Sequence, residues 1–316
     1  MRKLSILGLM FFFSFSCIQE KIDYMKIGTN VWPGYEPLYL ARELGFFDRF
    51  PIHIVEYGST TQVIRAYRNG IINSAGLTLD ETLLLKNYGF DPVIVLVMDI
   101  SHGADVIIAR KGIKSIYDLK GKKIGVENTA LGAYMLLRAL EIHKLTPNDL
   151  KIVPLEVNEH YKWFKEGKID AVVTFEPVKS KLLKIGGNII FDSSQIPGEI
   201  VDVLVVERSY LEKNPEIVKR VIHGWFRAVA YMKNHRKRAL KVISEREHIT
   251  IEDLQKAYNG MIIPDRKENL ILLNKGEPKL KKVAKKLLTI MKKQKIISNT
   301  NIKIDELFYS NFIRHY

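Results

Sequence analysis

The side chains that could do chemistry in this chain sit in short junctions between strand-like and helix-like runs. They are Trp32, Gly34 and Tyr35; Ser59, Thr60 and Thr61; Thr78 with Asp80; Thr129, Ala130 and Leu131; Phe175 with Glu176; and Asp202. In the first four junctions the free N–H groups of a helix start lie beside hydroxyls or aromatic rings. Such groups hold a polar or anionic partner without making or breaking a bond. No Ser/His/Asp grouping stands out as a nucleophile with its base. The eight histidines are scattered, none at helical i, i+4 spacing beside a carboxylate set, so no metal site is expected. Gly121-Lys122-Lys123-Ile124-Gly125 is a turn entering a strand and not a phosphate loop.

Each candidate has a plainer role open to it. Trp32 and Tyr35 could pack in a core. Ser59 with Gln62, and Thr78 with Glu81, read as capping boxes, so ligand contact would be added to a cap and Glu81 has a local task. For Thr129, cap and contact stay open. Glu176 could face a helix dipole ahead of Pro177 in the first turn. Asp202 could touch a ligand or fix crossing strands, and burying it unpartnered would be costly. The charges at these positions are acidic: Asp80, Glu176 and Asp202. Arg65, Arg68 and Arg110 fall a turn or more away. A sulfonate or nitrate site could use helix N-termini alone, but an anion site usually includes a cation as well. This set therefore leaves room for an amine-containing or neutral heterocyclic ligand, stacked on Trp32 or Tyr35.

The elements that must position these residues follow from the hydrophobic pattern. Lys26–Trp32 reads as a strand, Pro33-Gly34 as a turn, and Pro37 suits a helix's first turn. Leu38, Leu40, Ala41 and Leu44 form one helical face, closed by Gly45. Strands follow at His53–Tyr57, Asn73–Thr78 and Val93–Asp99, with helices between them. This rhythm implies a parallel sheet, with Val93–Asp99 a central parallel strand. A second alternating block runs from Asp105 to Phe191. Val201–Glu207 is another apolar run, and the pattern is helical after it.

The segment from Trp32 to Phe47, WPGYEPLYLARELGFF, resembles the first unit of substrate-binding proteins of the nitrate/sulfonate/taurine type (NMT1/SsuA-like), which serve ABC importers. Asp118–Val126, DLKGKKIGV, and Asp170–Pro177, DAVVTFEP, resemble further segments of that family, the latter often lining its pocket. The resemblance implies an α/β, type II periplasmic-binding-protein fold with two lobes. Residues 25–100 with 201–316 would form one lobe and 101–200 the other. Polar segments near 99–104 and 192–202 would act as hinges. It also implies delivery of a small polar molecule to an ABC permease by closure of the cleft. Enzymes on the same fold, of the Thi5/NMT1 or menaquinone-pathway kind, are the rival, and a sensory or accessory binding protein is a third reading. No cofactor is implied.

Bulk properties are compatible with that picture. The chain has 316 residues, 47% hydrophobic and 27% charged, enough for two cored lobes. The formal charge of +14 is mostly lysine. No nucleic-acid motif accompanies it, so nucleic acid is not expected as a partner, and genome composition accounts for the excess. Arg2-Lys3, the apolar run Leu4–Phe15 and the single cysteine Cys17 resemble a lipoprotein export signal over residues 1–16. Plain secretory cleavage nearby is the alternative. The expectation is an exported monomer at the periplasm or cell surface, held to the membrane by lipid on Cys17. The basic amphipathic helix at 279–295 could lie on anionic lipid, but its apolar face is expected to pack on a lobe.

Overall fold

A computed structural model of the chain describes residues 23–127, 130–274, 277–299 and 301–314. Cys17 and Thr129 lie outside these residues. Two mixed sheets carry the fold, and what builds them is a run of buried, β-branched strands alternating with amphipathic helices. In the first half, β1 (Met25–Asn30), β2 (Ile52–Tyr57), β3 (Ser74–Thr78) and β4 (Pro92–Ser101) alternate with α1 (Glu36–Glu43), α2 (Thr60–Arg68) and α3 (Leu79–Asn87). The middle of the chain supplies β5 (Val106–Ala109), β6 (Lys123–Val126), α4 (Ala130–Ile142), β7 (Lys151–Pro154), α5 (Val157–Lys165), β8 (Ala171–Thr174), α6 (Val178–Lys184) and β9 (Asn188–Asp192). Then β10 (Val201–Glu207) leads into α7 (Arg208–Lys213), α8 (Pro215–Asn234), α9 (Arg236–Glu247) and α10 (Ile251–Asn259). The chain ends with β11 (Met261–Ile262), α11 (Arg266–Leu272), α12 (Lys279–Lys293) and α13 (Asn311–Arg314).

The first sheet has the order β11-β4-β10-β3-β1-β2, and the second β7-β6-β8-β5-β9. The expectation of a wholly parallel sheet is corrected here. β4 pairs antiparallel with β10 and with β11, and β10 is inserted antiparallel between β3 and β4. The reason is where the chain crosses. It leaves the first sheet at the carboxyl end of β4 and returns beside that same end, with Val201 opposite Ile100. A strand that re-enters where its neighbour left must run the other way. The second sheet repeats the arrangement, with Val106 opposite Asp192 and β5 antiparallel to β8 and β9. The crossings, 102–105 and 193–200, are tied to one another. The Ser101 and Ser193 hydroxyls lie 2.8 Å apart, and Gly103 N–H donates to Ser193 Oγ at 2.6 Å.

The local reading of the first unit holds closely. Pro33–Tyr35 form one 3₁₀ turn between β1 and α1, and Pro37 sits in the first turn of α1. Gly45 follows the helix with φ +68°, a conformation that favours glycine. The apolar face of α12 (Leu280, Ala284, Leu287 and Met291) is buried, and the helix packs against α3. Its Lys281, Lys286 and Lys293 reach Asp305, Glu199 and Glu141. That is a packed helix with a solvated basic face. Among the described residues no helix is long and apolar enough to cross a membrane.

Candidate functional site

The carboxyl ends of β1 and β3 and the starts of α2 and α3 face α4, α5 and the end of β8 across a narrow space. Two adjoining voids, of ≈ 240 and ≈ 310 Å³, fill it, and both are bounded by Thr60, Glu81, Asp105, Leu131 and Phe175. Asn30, Trp32, Tyr35, Thr78 and Asp202 close the first. Glu127, Met135 and His160 are among the residues around the second. Larger and more open grooves lie elsewhere, of ≈ 820 and ≈ 1050 Å³, without this convergence of acids.

The aromatic residues are placed by hydrogen bonds as well as by packing. Trp32 Nε1 donates to Asp99 Oδ2 at 2.9 Å, and its ring meets Phe175 edge-on with centroids 5.5 Å apart. Tyr35 donates its hydroxyl to Asp202 Oδ1 at 2.5 Å. Burial, then the neighbouring Asp202, holds the Tyr35 hydroxyl well above its ordinary pKa, so it stays a donor. Gly34 does not line the void. A Cβ there would run into the Asp99 carboxylate and the Trp32 indole, so glycine is what lets the two meet.

Thr60 and Thr78 line the void, whereas Ser59 and Thr61 are engaged at its rim. Ser59 caps α2 and donates its hydroxyl to Glu156 at 2.8 Å, and Gln62 Nε2 donates to the same oxygen at 2.8 Å. Thr61 gives both its N–H (2.8 Å) and its hydroxyl (2.7 Å) to Glu127 Oε1. The amino end of α2 is thus occupied by carboxylates from the second sheet's side. Glu81 does close its box, accepting from Thr78 N–H at 3.0 Å, but only with one oxygen. Asp80 is fully buried in the same turn, behind the lining residues, with its pKa raised to about 6 by burial. Phe175 and Leu131 line the void. Ala130 opens α4, and its side chain lies outside the described residues. Glu176 turns away: its carboxylate accepts from Ser180 N–H and Oγ at 3.1 Å each, and Lys179 stands 3.9 Å off.

Sequence reasoning passed over Asn30, Glu81, Asp99, Asp105, Glu127 and His160. Asp99 and Asp105 each sit at the end of an apolar run, the one signal that could have found them. Burial dominates their electrostatics. It raises Glu81 to about 8, with Asp80 next to it adding repulsion. It raises Asp99 to about 7, despite the Trp32 bond, and Asp105 to about 6, despite Lys179. Asp202 is raised well above the carboxylate range by burial and by Asp99 opposite it in the strand pair. His160 is pushed down to about 4 by burial, and its Nε2 lies 3.1 Å from the Leu155 carbonyl. It is therefore a neutral ring that donates through Nε2. No group of side chains that could hold a metal occurs among the described residues.

The arrangement resembles known proteins in sequence and in fold. The taurine-binding periplasmic protein of Escherichia coli (strain K12) is 26% identical over 167 residues, 52% of this chain and 52% of that protein. The match thus spans about half the length of that relative. A putative aliphatic sulfonates-binding protein of the same organism is 24% identical over 250 residues, 77% of this chain and 78% of its own. The crystal structure of the periplasmic aliphatic sulphonate binding protein SsuA from Escherichia coli superposes with a TM-score of 0.73 at 19% identity, covering 92% of this chain and 99% of that one. It carries the same periplasmic-binding-protein fold. The family model described as NMT1/THI5 like matches residues 32–239, well over half of the sequence, and the chain belongs to that family.

Proposed function

We propose that this chain is the extracytoplasmic solute-binding component of an ABC importer and not an enzyme. In this reading residues 25–100 and 201–316 form one lobe and 101–200 the other. The paired crossings at 102–105 and 193–200 act as the hinge, and closure encloses a small polar molecule for presentation to a permease. The observation that carries the reading is the void walled from both sides: Trp32, Tyr35, Thr60 and Thr78 from the first sheet's elements, Leu131 and Phe175 from the second's. Trp32, Tyr35, Thr60, Thr78, Phe175 and Asp202 are the proposed contacts. Ser59 and Thr61 act at the rim, and Gly34 and Asp80 support the wall. Relatives that bind taurine or sulfonates support the transport role. An acyl group on Cys17 would hold the protein, as a monomer, at the membrane.

Native mass spectrometry of the exported protein, purified without denaturation, tests the reading. We expect a stoichiometric small molecule that is released unchanged on unfolding, and loss of its uptake when the gene is deleted. Release of a chemically altered molecule would point to catalysis on the same fold instead.

A further inference from the structure

From the carboxylate geometry we infer that the site selects a small organic cation bearing N–H donors, such as an ammonium, an amidinium or a protonated amino-heterocycle, and rejects simple anions. This rests on the solute-binding reading and names the ligand class for that site.

Three observations carry it. First, carboxylates from separate elements converge on the void with acceptor atoms to spare. Glu81 on α3, Asp105 on the first crossing and Asp202 on β10 line it. Asp99 on β4 stands directly behind Trp32 and opposite Asp202. Glu81 Oε1 and Asp105 Oδ2 have no hydrogen-bond partner, although neither residue is more than 2% exposed. A buried acceptor left unmade is expensive, and several beside each other more so. A ligand with N–H donors supplies the missing bonds, and its positive charge lets these acids ionise in its presence.

Second, no lysine or arginine is among the described lining residues. Lys179 acts on Asp105 from a distance and is shared with other groups. It donates to the Gly103 carbonyl at 3.1 Å and lies 3.9 Å from Glu176. Third, the start of α2, one of the helix starts at the site, is already filled by the protein's own acids. Glu127 and Glu156 take the N–H and side-chain donors of Thr61, Ser59 and Gln62. An anion entering there would have to displace a carboxylate. Trp32, Tyr35 and Phe175 add aromatic walls, which attract a cation and suit an organic one better than a metal ion.

The test is titration calorimetry and thermal shift on the exported domain, refolded from denaturant to remove any carried-over ligand. The probes are butylamine, putrescine, benzamidine and 4-aminopyrimidine, set against nitrate and methanesulfonate. We expect at least one cationic probe to bind and raise the melting temperature, with the anions silent. Glu81→Gln and Asp105→Asn, which keep shape and hydrogen bonding, should each weaken that probe by at least about tenfold. Glu81→Gln should at the same time leave the unliganded fold as stable or more stable. A shift with nitrate or methanesulfonate, or no shift with any cation, overturns the inference. So does unchanged affinity in both variants. In the first two cases the mass-spectrometric and uptake result still decides the transport role independently.

Discussion

Two clusters of buried acids in this molecule are solved in opposite ways. Around Arg246, Glu36 (1% exposed), Glu247 and Glu56 share one internal cation. The guanidinium takes Glu36 through Nε and Nη2, Glu56 through Nη1 at 2.6 Å, and stacks 3.8 Å from the Tyr39 ring centroid. Burial and Glu36 raise Glu247 to about 9, which keeps it protonated beside its charged neighbours. In the cavity, Glu81, Asp99, Asp105 and Asp202 are as deeply buried and have no such cation. A third acid, Glu199, marks the other extreme. It is held by Arg138, Lys286 and the Tyr134 hydroxyl, and its pKa falls to about 2. Glu36 and Glu199 are thus neutralised from within the fold, by Arg246 and Arg138. The cavity acids have no such cation among the described lining residues, and burial keeps Glu81 and Asp202 protonated at neutral pH instead.

The comparison breaks most visibly at Arg246. Removing a buried partner strands the remaining charges, so Arg246→Ala should cost about 3 kcal/mol in a urea melt. A loss below about 1 kcal/mol would mean that Glu36 simply takes a proton, and that the two clusters are alike.

The cavity acids should show themselves in the pH dependence of the unliganded protein. Their unfolded pKa values lie near 4, and folding raises Asp105 to about 6, Asp99 to about 7 and Glu81 to about 8. A raised carboxyl binds more protons folded than unfolded, so its contribution is complete below about pH 4 and is lost as pH rises through its folded value. Stability should therefore fall steadily from pH 5 to pH 8. A saturating cation should flatten that fall. Asp80 beside Glu81, raised to about 6, and Glu247 in the other cluster, raised to about 9, add to the fall in the same direction, whereas the remaining neighbours do not. His160 is neutral above about 4, Tyr35 stays protonated, and Glu199 acts only near its own low value. A melting temperature that is level from pH 5 to 8 would remove the contrast between the clusters.

The smallest effect is expected where cations are in surplus. Lys286 is half exposed, and Glu199 keeps Arg138 and Tyr134 without it. Lys286→Ala should cost under about 1 kcal/mol, measured by the same melt. A larger loss would show that the surplus is only apparent.

Much of the fold could be read in the sequence because its signals are local. Pro33-Gly34, Pro37, Gly45 and the spacing of Leu38, Leu40, Ala41 and Leu44 fix one strand–turn–helix unit without help from elsewhere. Strand direction could not be read in the same way. Val201–Glu207 has the same apolar pattern whether it runs parallel or antiparallel, and only the position of the crossings decides. At the site, caps such as Ser59 and Thr78 were legible, since their partners are three residues away. Asp99 was not, because its partner Trp32 lies 67 residues away in the sequence, and Asp105 was not, because the residues it meets around the void, Thr60, Leu131 and Phe175 among them, come from other elements. Glu81 was passed over for a subtler reason: closing a capping box uses one carboxylate oxygen and leaves the second available.

The bonds that bind Ser59, Thr61 and Gln62 to Glu127 and Glu156 are made between protein atoms alone, which has a bearing on time. On the two-lobed reading they lower the free energy of the shut arrangement itself, so a ligand need not supply all of it. Such contacts are broken on the way out more than they are formed on the way in. Residence time, and with it the interval in which a permease can engage the loaded protein, would then be set at this rim by groups that never touch the cargo.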